Sequence, residues 1–81
     1  MTSLDKLIKK FLENPSSLKY SQLEKILLHT GHIKIPAKGS HIKFKHQRTE
    51  SNLIIPIHNN ECKDFYKKLV AKHLIKHNFL Q

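Results

Sequence analysis

A chain of 81 residues with 38% hydrophobic composition has room for one domain with one thin core. This size excludes a two-lobed enzyme that encloses a small-molecule substrate and a cofactor in a deep cleft. Fifteen Lys and Arg residues against six Asp and Glu residues give a formal charge of +9, which favours a polyanionic partner.

The compartment is indicated by cysteine usage and hydropathy. Cys62 is the one cysteine, so no internal disulfide can form, and small domains made for oxidising spaces usually carry several. Lysines interrupt the apolar residues near the N-terminus, and no apolar run approaches the roughly 20 residues of a membrane span. We therefore expect a cytoplasmic protein with no secretory signal and no membrane association.

Two helices are predicted first. Apolar residues recur at helical spacing from Leu4 to Leu12, and Asn14-Pro15 ends this pattern. A second amphipathic helix is predicted from Ser21, where Ser21 to Glu24 fits a capping box, to a stop at Gly31.

The period then changes from about 3.6 to 2, which predicts three strands. Ile33 to Ile35 and His41 to His46 alternate on either side of a turn, and form a hairpin. Leu53 to His58 is the third strand, and Pro56 makes it an edge strand because proline lacks the N–H that a central strand needs.

A last helix is predicted from about residue 61 to about residue 76, with Asn59 and Asn60 as caps. Its buried side is assigned to Phe65, Tyr66, Leu69, Val70 and either His73 or Leu74. The order α-α-β-β-β-α predicts an α+β domain in which a three-stranded antiparallel sheet has helices on one face and solvent on the other.

The second strand separates two kinds of side chain. Ile42 and Phe44 point to one face together with His46, which is expected to be structural, whereas the other face carries His41, Lys43 and Lys45. Gly39, just before the strand, has no Cβ and permits close approach of a phosphate. An exposed strand histidine near lysines, taken alone, is more often an ordinary surface residue.

These residues resemble the HicA family of toxin ribonucleases. The resemblance rests on Lys38-Gly39-Ser40-His41 leading into the alternating strand, followed by Pro56-Ile57-His58 ahead of the last helix. It covers roughly residues 20 to 76, so residues 1–19 are expected to be a helical extension and residues 20–81 the HicA-like domain. One departure is Asn59 to Cys62, which replaces an expected glycine-containing turn.

The resemblance implies a fold similar to a double-stranded-RNA-binding domain, with His41 as the catalytic residue. It also implies a toxin that cleaves mRNA, arrests growth and is held inactive by a HicB-type antitoxin. The chemistry requires no cofactor, because the RNA 2′-hydroxyl can be the nucleophile and an imidazole can move the proton. The residues expected to hold RNA are Lys38, Gly39, Ser40, Lys43, Lys45 and Arg48.

Several alternatives stay open at this point. His58 is either a second acid or base or a structural strand end. Lys67 to Lys72 is also similar to the basic helix of non-catalytic double-stranded-RNA-binding domains, which gives a rival function. The lysines could instead serve solubility alone, or the domain could bind only protein. A metal site at His73 and His77 is rejected, because no further ligands stand at suitable spacing.

Overall fold

The computed structural model describes residues 3–50 and 52–80. Its elements, in chain order, are α1 (Ser3–Glu13), a 3-10 turn (Pro15–Ser17), α2 (Tyr20–His29), β1 (Ile33–Pro36), β2 (His41–Lys45), β3 (Leu53–Pro56) and α3 (Asp64–Lys76). The predicted α+β order α-α-β-β-β-α is confirmed.

The sheet has the order β1-β2-β3, and both pairs are antiparallel. β3 is therefore an edge strand, as the proline at its end predicted, although it stops at Pro56 rather than at His58. The register places Lys43 opposite Ile35 and Ile54, on the face turned away from the helices.

One core joins the helices to the other face of the sheet. Phe11 of α1 is fully buried in the same cluster as Phe44 of β2 and Ile55 of β3. The remaining fully buried side chains in it are Leu18, Leu23, Ile26, Leu27, Val70 and Leu74. Because α1 contributes Phe11, the N-terminal helix is packed as part of this core. No helix in the described residues is long and apolar enough to cross a membrane.

The start of α2 differs from the expectation. The helix begins at Tyr20, and the Lys19 N–H donates to Gln22 Oε1 at 3.0 Å, so the predicted box from Ser21 to Glu24 is wrong. Glu24 instead pairs with Lys34 of β1. The predicted end is confirmed, because α2 stops at His29 and Gly31 has a positive φ of 96°.

α3 begins at Asp64, three residues later than predicted, because the residues before it form a separate turn. Asn59 and Asn60 have φ values of 51° and 61°, and His58 and Glu61 exchange backbone hydrogen bonds of 2.8 and 2.9 Å. This is the geometry of a two-residue type I′ hairpin turn, which asparagine tolerates. The expectation that the two asparagines cap the helix is wrong.

The buried side of α3 is also rotated by about one position. Its buried residues are Lys67, Val70, Ala71 and Leu74, which follow helical spacing. Phe65 is 67% exposed and Leu69 is 39% exposed, so their assignment to the core is wrong. The physical reason is Lys67, whose ammonium pairs with Glu61 and so occupies an inward position that hydropathy assigns to solvent.

Candidate active site

The turn before β2 leaves an accessible backbone. The Ala37 N–H donates to the His41 carbonyl at 3.0 Å and closes a turn whose residues Lys38, Gly39 and Ser40 are exposed. Gly39 has a φ of 70°, which disfavours other residues, and a Cβ built there would meet nothing within 4 Å. The space that a phosphate needs for close approach is therefore present at Gly39.

His41 is the first residue of β2 and lies at the end of the sheet. It is exposed, as the alternation of the strand predicted, and it pairs with Pro56 of β3. The Ile57 N–H donates to the Ser40 carbonyl at 2.8 Å, which extends this pairing by one residue. Alternation along the chain then brings His58 to the same side as Pro56 and His41.

A pocket of about 540 Å³ opens beside His41. It lies between the end of the sheet and the start of α3, and it is lined by His41, Pro56, His58, Glu61, Cys62, Lys63 and Tyr66. Two of the sequence-predicted residues, His41 and His58, therefore border one cavity. The asparagine turn holds His58 there through its hydrogen bonds to Glu61.

Glu61 anchors the wall of this pocket. Its Oε1 accepts hydrogen bonds from the N–H groups of Tyr20 at 3.0 Å and Cys62 at 2.9 Å, and lies 3.1 Å from Lys67 Nζ. Burial opposes ionisation of the carboxyl, but these N–H groups and the ammonium outweigh it and hold the pKa of Glu61 below its usual value. The Glu61 carboxylate thus links the start of α2 to α3.

The predicted cations are spread along the sheet. Lys38 lies beside His41, and Lys43 and Lys45 follow along β2, the first half-buried and the second exposed. Arg48 lies beyond the opposite end of β2, where its guanidinium is 4.4 Å from the centre of the Phe79 ring. The structure brings Lys38, Gly39 and Ser40 together with His41 but does not bring Arg48 to them.

A family model described as the HicA toxin of bacterial toxin-antitoxin systems matches residues 20–76. This stretch runs from the first residue of α2 to the last residue of α3 and includes both histidines of the pocket. The chain belongs to the HicA toxin family. No curated protein and no solved structure matches it. Membership gives this HicA toxin a cognate antitoxin as its partner.

Five residues that line the HicA pocket are not among the predicted site residues: Pro56, Glu61, Cys62, Lys63 and Tyr66. Tyr66 was expected only in the core, against which its half-buried side chain also packs. The hydrogen bond from the Tyr20 N–H to Glu61 joins residues 41 positions apart in the sequence, so no local pattern predicts it. The signal that was available is Asn59-Asn60, because two such residues favour a left-handed turn over a helix cap.

Four other histidines of the HicA chain, His32, His46, His73 and His77, form a structural cluster around Phe79. His32 and His46 are buried, which agrees with the structural role expected for His46. Thr30 Oγ donates to the Leu27 carbonyl, so it accepts from His32 Nδ1, and His32 Nε2 then accepts from His73 Nε2 at 3.0 Å. Among the described residues, no three His, Cys, Asp or Glu side chains are grouped to hold a metal.

Proposed function

We propose that this HicA toxin is an endoribonuclease that cleaves mRNA and so arrests growth, with His41 as the proton-transferring residue. The observation that carries the proposal is the position of His41: exposed, at the end of a strand, between a glycine turn with open space and a pocket. Imidazole titrates near neutrality, so such a group can act as either acid or base at physiological pH.

The reaction we propose needs only groups from the protein and the RNA. The 2′-hydroxyl attacks the adjacent phosphorus while a base removes its proton, and an acid protonates the departing 5′-oxygen. The new P–O2′ bond and the broken P–O5′ bond leave a 2′,3′-cyclic phosphate and a 5′-hydroxyl. His41 takes one of these two roles, and His58, which borders the same pocket, is our candidate for the other.

The RNA-binding surface follows the turn and β2. Lys38, Gly39 and Ser40 hold the scissile phosphate, since the turn offers both positive charge and an unobstructed backbone. At about 3.3 Å per residue, Lys45 lies about 13 Å from His41, so Lys43 and Lys45 reach other phosphates of the same strand. Arg48 extends this surface beyond the end of β2.

We further propose that the antitoxin is of the HicB type and inhibits by covering this surface in the cytoplasm. A formal charge of +9 favours an acidic partner, whose docking would occlude His41 and the lysines together. The rival function, a non-catalytic double-stranded-RNA-binding module, would have to use Lys68 and Lys72, which are exposed on α3. Lys67 is not available to it, because its ammonium is buried against Glu61.

The test is RNA cleavage by purified toxin with His41→Ala, and with His29→Ala as a matched control on the exposed side of α2. Loss of a general acid or base should lower the cleavage rate by about 10² to 10⁴ while RNA affinity stays within about 2-fold. His29→Ala should cleave like wild type. Wild-type protein that binds RNA without cutting it would establish the binding module instead.

A further inference from the structure

We propose that the pocket beside His41 binds one nucleobase next to the scissile phosphate, with the Tyr66 ring as its stacking surface. This inference rests on the proposed ribonuclease function and adds a subsite to it. It makes Tyr66 a substrate-binding residue of the reaction.

Tyr66 is placed for this role by the first turn of α3. Its N–H donates to the Lys63 carbonyl at 3.0 Å, and its side chain is half-buried while it lines the pocket. The Phe65 ring meets it edge to face, with centroids 5.1 Å apart and planes at 89°. Such a contact orients the Tyr66 ring, and an oriented ring suits stacking on a flat partner.

The core accounts for only part of the position of Tyr66, whose half-buried side chain packs against the buried cluster. The inward stripe of α3 consists of Lys67, Val70, Ala71 and Leu74, and Tyr66 lies beside it. The ring therefore covers the edge of the core and keeps part of its surface for the cavity.

The chemistry of the pocket matches a nucleotide. Pro56 and Tyr66 supply apolar surface, while His41, His58 and Lys63 supply groups that can be cationic. The Glu61 carboxylate also lines the pocket, but it is already paired with Lys67 and with two backbone N–H groups. A nucleotide has the same two parts, a base with apolar faces and an anionic phosphate. The volume of about 540 Å³ falls within the range of roughly 300 to 1,000 Å³ typical of small-ligand sites. With the phosphate at His41, the adjoining cavity receives the neighbouring base.

The experiment is a double-mutant cycle between the protein and the RNA. The substrate is an oligonucleotide with one cleavage site, compared with versions that carry an abasic ribose at each nucleotide flanking it. The protein variants are Tyr66→Ala, Tyr66→Phe, which keeps the ring, and Leu69→Ala, an exposed position of α3 outside the pocket. Circular dichroism and thermal melting establish that each variant folds.

We expect Tyr66→Ala to lower kcat/KM on intact RNA by about 10-fold or more, the effect of losing one stacked base. One abasic position should impose a similar loss on wild type and on Tyr66→Phe but almost none on Tyr66→Ala, since both changes remove the same contact. Leu69→Ala should behave as wild type. Equal abasic losses in wild type and Tyr66→Ala would overturn the proposal.

Measurements of RNA-binding affinity test the base subsite independently of the cleavage reaction. The same cycle, measured as binding in the His41→Ala background, should show the same loss of additivity. If wild type cuts no RNA but the affinity cycle is non-additive, the ribonuclease function fails and the base subsite survives. If wild type cuts RNA and both cycles are additive, only the subsite fails.

Discussion

At the scale of single residues, the pocket wall depends on one ion pair. The side chain of Lys67 is 7% exposed and that of Glu61 is 44% exposed, with 3.1 Å between Nζ and Oε1. Removal of the carboxylate would leave a buried ammonium without its main counter-charge, because Asp64 is 4.0 Å away and 69% exposed. Glu61 thus stabilises the fold as well as shaping the site.

We expect Glu61→Gln to lower the free energy of unfolding by about 1–2 kcal/mol, since a charged hydrogen bond becomes a neutral one. Asp64→Asn, the matched change on the more exposed partner, should lower the free energy of unfolding by less than about 0.5 kcal/mol. Urea unfolding of both variants measures the difference. Equal losses would show that Lys67 does not depend on Glu61.

His32 should make stability depend on pH. Burial, followed by the neighbouring His73 and His46 and by Arg48, lowers the pKa of His32 to about 4, against about 6.5 when unfolded. The folded state favours the neutral ring, so the contribution of His32 to the free energy of unfolding is complete above pH 6.5. As pH falls from 6.5 towards 4 the contribution is lost, by up to about 1.4 kcal/mol per pH unit.

The measurement compares wild type with His32→Gln by urea unfolding between pH 7.5 and 4.5. The stability advantage of wild type should shrink as the pH falls, because only wild type must keep that imidazole neutral. An advantage that is constant with pH would contradict this account of the cluster.

At the scale of elements, the segment from β3 to α3 decides where the pocket forms. Pairing continues past Pro56 through the hydrogen bond from Ile57 to Ser40, and the asparagine turn then reverses the chain into Glu61. This short hairpin places His58 and Glu61 on the pocket and delays the start of α3. The turn stands where the resemblance leads one to expect a glycine, and asparagine serves there because it tolerates positive φ.

We expect Asn60→Val to destabilise the protein by about 1–2 kcal/mol, since a β-branched residue is strained at a φ of 61°. Asn60→Gly should be neutral or slightly stabilising, because glycine accepts this conformation without strain. Thermal unfolding of both variants tests the turn. Equal effects of valine and glycine would show that the left-handed conformation is not required.

The elements that could be predicted from the sequence are those set by local pattern. The alternation around His41 and the glycine after α2 each act within a few residues, so the open strand face and the end of α2 were predicted correctly. The inward stripe of α3 was predicted only in part: Val70 and Leu74 are buried as expected, but the inward position of Lys67 depends on its pairing with Glu61. The pocket was not predicted either, because it forms only where β2, β3 and α3 come together in the fold.

At the scale of the whole molecule, charge and topology act together. The formal charge of +9 attracts polyanions without regard to position, and the sheet then offers one face where lysines follow a histidine. Ile33 and Ile54 are exposed on the two edge strands of this face, so it is not uniformly polar.

RNA affinity should fall with salt. Three or four neutralised phosphates predict a slope of log K against log salt of about −2 to −3 for single-stranded RNA. Lys43→Gln should reduce the magnitude of that slope by about 0.7, whereas Lys72→Gln, an exposed change on α3, should not alter it. Affinity that is indifferent to salt would instead favour a domain that binds only protein.

The most direct test of the central claim is the response to a single missing 2′-hydroxyl. Purified toxin is incubated in EDTA with an RNA oligonucleotide carrying one cleavage site, and with the same oligonucleotide bearing 2′-deoxyribose on the 5′ side of the scissile phosphate. We expect the first to be cut to a 2′,3′-cyclic phosphate and a 5′-hydroxyl and the second to resist. Equal cleavage of both, or a product ending in 5′-phosphate, would contradict proton transfer by His41 to or from the RNA's own nucleophile and leaving group.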